Sequence, residues 1–101
     1  MKNRIHIPQQ KFTDFCRRNH IQRLSFFGSV LRDDFNPESD IDVLVEFIPG
    51  TRVGLIHLAG MEIELGKLFD RKVEIHTPTG LHPAFREDVL RVAEVQYEPA
   101  R

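Results

Sequence analysis

The sequence predicts an α/β fold, a small mixed β-sheet with helices packed on it. Three observations predict it. Strand-like and helix-like runs alternate along the chain. A long apolar helix between the second and third strands calls for a right-handed crossover and parallel pairing. The short connection 28–39 permits antiparallel pairing of the first and second strands.

Taking the elements in order, Pro8 suits a helix's first turn, and Phe12, Phe15, Cys16 and Asn19 recur at helical spacing, so a short helix covers 8–19. Its aromatic face is core. The stretch 21–27 reads as the first strand, with Ile21, Leu24 and Phe26 among polar residues, and Gly28 breaks it. Ser29 is placed to cap a short helix over 30–34, and Asn36-Pro37 is a turn. The second strand is 40–47, closed by Pro49-Gly50. The longest helix is 54–69. Leu55, Leu58, Met61, Leu65, Leu68 and Phe69 form one apolar stripe on it, while Ile56, Ala59, Gly60 and Ile63 lie on nearly the opposite side. Either another helix covers that second patch or it is a partner-binding face. The third strand is 72–76, with Val73 and Ile75 facing one way and Glu74 the other. Pro78 and Gly80 end it. A helix over 82–93 has Pro83 in its first turn and Phe85, Val89 and Val92 on its apolar side, and 95–97 is a short last strand.

At 101 residues, residues 1–101 are expected to form a single domain with one modest core. A net charge of −1 gives no basic footprint for gripping a nucleic-acid backbone, so no direct nucleic-acid binding is expected. No stretch approaches the ~20 apolar residues that span a bilayer. The N-terminal residues lack a signal-peptide core, and the one cysteine, Cys16, cannot form an internal disulfide, so a cytoplasmic location without membrane attachment is expected.

The chemistry concentrates in 26–47, FFGSVLRDDFNPESDIDVLVEF. Asp40 and Asp42 are two apart on a strand, so both carboxylates project from one side, at the mouth of the apolar run Val43-Leu44-Val45. Like charges so placed repel unless a cation sits between them. The bland alternative is a solvated start to the strand. The five histidines show no metal spacing of the H-x-x-x-H kind and read as surface or partly buried residues. Cys16 has no neighbouring basic group to make it a nucleophile. No Walker-type glycine loop is present.

Gly28-Ser29, ten residues, then Asp40-x-Asp42 resembles the motif of the DNA polymerase beta-type nucleotidyltransferases. The resemblance runs from about Leu24 to Tyr97, and the small size with FGS…SDIDVLVEF is similar to the minimal nucleotidyltransferases (MNT), antitoxins to HEPN-domain toxins. It implies a nucleotidyltransferase-like core and an enzyme that transfers AMP from ATP to a tyrosine of a HEPN-type ribonuclease toxin. It implies two Mg2+ ions about 4 Å apart that clamp the attacking and leaving oxygens. Asp40, Asp42 and a third acid from a neighbouring strand, Glu74, would be the catalytic metal ligands, with Asp42, deeper in the strand, bridging both ions. Gly28 and Ser29 would hold phosphate oxygens through backbone N–H groups and the hydroxyl, with Arg32 on the triphosphate. The chain departs from the family in carrying Asp33, where Gly often follows that arginine. With little chain after the third strand to define an acceptor, the acceptor is expected to come with a partner protein. Two other readings stand beside this one: an antitoxin that neutralises its partner by binding alone, and a small-molecule nucleotidyltransferase.

Overall fold

A computed structural model describes residues 6–31 and 40–99. Among them lie helices α1 (Gln9–Arg18), α2 (Leu55–Phe69) and α3 (Pro83–Val92), and strands β1 (Ile21–Phe27), β2 (Ile41–Phe47), β3 (Val73–His76) and β4 (Glu94–Tyr97). The sheet order is β3-β2-β1-β4. β1 runs antiparallel to β2 and to β4, and β2 runs parallel to β3. This mixed sheet suits the two connections: residues 28–40 join antiparallel neighbours, and a 15-residue helix carries the chain back for the parallel one.

Alternation along the strands sorts the sheet into two faces. Ile41, Val43 and Val45 of β2 are fully buried and pack with Leu24 and Phe26 of β1 and Val73 of β3. Onto this face α1 brings Phe12, Phe15 and Cys16, and α2 brings Met61, Leu65 and Phe69. Phe69 meets both Phe12 and Phe26 with ring centroids 5.8 Å apart, tilted on the first and edge-on to the second. Each such fully buried side chain contributes about 1.5–3 kcal/mol. The even-numbered residues of β2, Asp42, Leu44 and Glu46, take the other face.

Two polar ties hold α2, one to the end of α1 and one to the sheet. Asn19, buried just past α1, donates to the Phe15 carbonyl at 2.8 Å and meets His57 Nε2 of α2 at 2.9 Å. The Ile75 amide donates to Glu62 Oε2 of α2 at 2.7 Å. The second tie satisfies an outward amide of the edge strand β3 and locks the residue that lies between Glu74 and His76.

Several sequence expectations are revised. The 3₁₀ turn Gly28–Leu31 begins at Gly28, so Ser29 lies within a turn rather than ahead of one as its cap, and 32–34 lie outside the described residues. Gly54 is the cap of α2, not its first residue, and Leu55 leaves the buried stripe: it is 85% exposed. The opposite stripe of α2 is uncovered among the described residues, with Ile56 at 91% and Ile63 at 63% exposure. The same holds for α3, which buries none of its residues: on its apolar side Phe85 and Val92 are exposed and Val89 is half-buried.

Candidate functional site

The site assembles on the sheet face away from α1 and α2, where β1 ends and β2 begins. Strand register builds it. Asp42 stands opposite Phe27 of β1 and opposite Glu74 of β3. Its neighbours Ile41 and Val43 are both fully buried on the inner face, so the carboxylate is driven to the outer one. Glu74 is held the same way between Val73 and Ile75. The two carboxylates that the sequence separates by 31 intervening positions thus become lateral neighbours.

Gly28 adds the turn. Its φ of +77° is a conformation that side-chain-bearing residues rarely adopt, and a Cβ there would lie 2.6 Å from Asp42 Oδ2. The backbone of the turn therefore runs directly against the carboxylate. Gly28→Ala is expected to cost about 1–2 kcal/mol from the left-handed backbone alone. It should also displace the Asp42 carboxylate, which must yield to the new methyl. Thermal melts with a nucleotide-binding titration check this: a lowered Tm with weakened binding is the expected pair of results.

A third group, not singled out by the sequence patterns above, completes the set. His76, two residues beyond Glu74 on the same face of β3, places Nε2 3.3 Å from Asp42 Oδ1 and 3.3 Å from Glu74 Oε1. Its ring sits edge-on to Phe27, with centroids 5.2 Å apart. Among the described residues, Asp42, Glu74 and His76 offer ligand atoms that all lie within 4.8 Å of one another. The sequence does carry the signal: Glu74-x-His76 on a strand puts both side chains on one face. A search for histidines at helical spacing passes over a strand spacing of two.

Of the expected site residues, the structure brings together Gly28, Asp42 and Glu74. Asp40, half-buried just ahead of β2, lies outside the 4.8 Å group. Ser29 contributes backbone to the turn, while its side chain, together with Arg32 and Asp33, lies outside the described residues. Cys16 is removed from the chemistry: it is buried under α1, and burial pushes its thiol up to about 12, which withholds the thiolate.

The donor set fits a divalent cation. Two carboxylates, 27% and 52% exposed, supply hard oxygen ligands with solvent access, and the imidazole supplies a nitrogen.

The nucleotidyltransferase domain family matches residues 9–94 of the chain. A Methanocaldococcus jannaschii protein that carries the assigned name protein adenylyltransferase is 31% identical over 85 residues, 84% of this chain and 89% of that one. A solved structure named for a minimal nucleotidyltransferase is similar with a TM-score of 0.69 at 35% identity, over 84% of this chain and 85% of that one. A toxin–antitoxin structure with AMP-PNP reaches a TM-score of 0.73 at 18% identity, over 92% of this chain and 75% of that one, a likeness of fold.

Proposed function

The chain belongs to the nucleotidyltransferase domain family, and on that premise we propose that it is a protein adenylyltransferase serving as the antitoxin of a HEPN-type ribonuclease toxin, with ATP as donor and a tyrosine of the toxin as acceptor. The observation that carries the reading is the lateral pairing of Asp42 with Glu74 against the Gly28 turn. Those groups supply the two things nucleotidyl transfer asks of a protein, positioning and charge neutralisation. In the transfer, the phenol oxygen bonds to the α-phosphorus, the bond to the β-phosphate's bridging oxygen breaks, pyrophosphate leaves, and the phenol proton passes to solvent.

In this reading Asp40, Asp42 and Glu74 would hold the metal, two Mg2+ ions, with Asp42 as the central ligand. A metal held there would supply charge neutralisation at the phosphates. The residues do the rest. The glycine turn at Gly28 lets backbone approach the triphosphate where a side chain would block it. Ser29 and Arg32 are assigned to phosphate oxygens. Glu62 keeps β3, and with it Glu74, in register. The chain acts as one minimal domain in the cytoplasm, and among the described residues no helix is long and apolar enough to cross a membrane.

The uncovered apolar residues of α2 and α3 support a protein partner. They support equally the second reading, in which the chain neutralises its partner by binding alone. Mass spectrometry of the co-purified HEPN partner, with and without ATP, tests the proposal. The expected result is a mass gain of one or more AMP units that requires ATP. An unmodified partner under both conditions overturns it.

A further inference from the structure

We propose that His76 is a metal ligand, and that its nitrogen makes the set Asp42, Glu74 and His76 favour a first-row transition-metal ion over magnesium. The proposal deepens the preceding one and rests on its reading that the site holds a divalent cation.

Geometry carries the argument. Nε2 of His76 is equidistant, at 3.3 Å, from a carboxylate oxygen on β2 and one on β3. A single N–H cannot point well at both. What the three atoms share is the space between them, within 4.8 Å on every side, and that is the space a cation would take. The ring is not a loose surface group. Phe27 meets it at 5.2 Å from β1, and the Glu62 contact to the Ile75 amide fixes the backbone one residue earlier. Asp42, Glu74 and His76 come from two strands in parallel register, so the donors sit on rigid elements rather than on loops.

Ligand chemistry supplies the selectivity. Magnesium demands oxygen ligands and holds its water tightly. Imidazole nitrogen suits first-row transition metals, whereas carboxylate, carbonyl and water oxygens suit magnesium. An imidazole beside the carboxylates therefore penalises magnesium relative to transition-metal ions, and Mn2+, the weakest binder of that series, is the strictest probe.

The test uses the purified full-length chain with Mn2+ and Mg2+ alone as probes. Electron paramagnetic resonance of bound Mn2+, with Mg2+ in competition, gives both affinities, and electron spin-echo modulation detects a directly coordinated 14N. Wild type is expected to bind Mn2+ more tightly than Mg2+ and to show 14N modulation. His76→Gln and His76→Ala are expected to lose the modulation and to bring the two affinities together. Absence of 14N modulation in wild type that binds Mn2+ overturns the proposal, whatever the variants do. So does an equal loss of both metals in the His76 variants, which would mean that the imidazole only positions the acids. If wild type binds neither cation, or if Asp42→Asn binds both as well as wild type does, the reading of this face as a metal site falls with it.

Discussion

Asp42→Asn is expected to fold, to hold its partner and to transfer no AMP. The change keeps shape and volume and removes one negative charge. Asp42 is the residue that every other part of the site touches: Gly28 abuts its Oδ2, His76 reaches its Oδ1, and Glu74 stands opposite it across the β2–β3 ladder. Its side chain is 27% exposed, so losing the charge leaves no buried orphan and the fold should survive. A cation held through that carboxylate is worth several kcal/mol to the transition state, and about 4 kcal/mol is roughly a thousandfold in rate. Partner mass and toxin activity, measured in parallel for wild type and variant, separate catalysis from masking. Protection lost together with the AMP mark makes the chain an enzyme acting on its partner. Full protection with an unmodified partner in both cases would make it a mask with relic acids, and the adenylyltransferase reading would be wrong.

Much of this site is legible in the sequence because it is written in strand periodicity. Asp42 and Glu74 each lie between apolar residues in their own strands, and that pattern alone places them on the outer face. Register between strands is not local information. The pairing Asp42↔Glu74 follows from where α2 returns the chain, and the length of the helix sets that return only to within a residue or two. His76 escapes a search for metal-binding histidines that looks only for helical spacing. The fold class follows from the alternation of elements and the two connection lengths, and the fourth strand, β4, finds its place on β1 despite being only four residues long.

The helices are legible in a different and weaker sense. Periodicity says which residues share a face. It does not say whether anything covers that face. On α3, Phe85 and Val92 share a side and remain 62% and 58% exposed. Leu55 has the spacing of the buried stripe, yet it stands at the first turn of α2, beyond the reach of the sheet, and stays in solvent.

The two faces of α2 should therefore respond oppositely to the same chemical change. Leu65→Glu puts a carboxylate where exposure is 0%, in a core cluster that holds Phe12, Phe26 and Phe69 and, among the described residues, no cationic side chain. An unpaired buried charge costs several kcal/mol, against a total stability of about 5–15 kcal/mol for a domain of this size. That variant is expected to be largely unfolded by circular dichroism. Ile56→Glu, at 91% exposure, should stay within about 0.5 kcal/mol of wild type and melt at nearly the same temperature. Ile63→Glu, at 63%, should follow it closely. If the uncovered stripe is where the partner sits, both isoleucine variants will weaken the complex while remaining folded, because a carboxylate would then be stranded in an apolar contact. Loss of the fold in Ile56→Glu would instead mean that this stripe is core. Unchanged partner affinity in folded variants would move the interface elsewhere, and the exposed Phe85 of α3 would be the next residue to change.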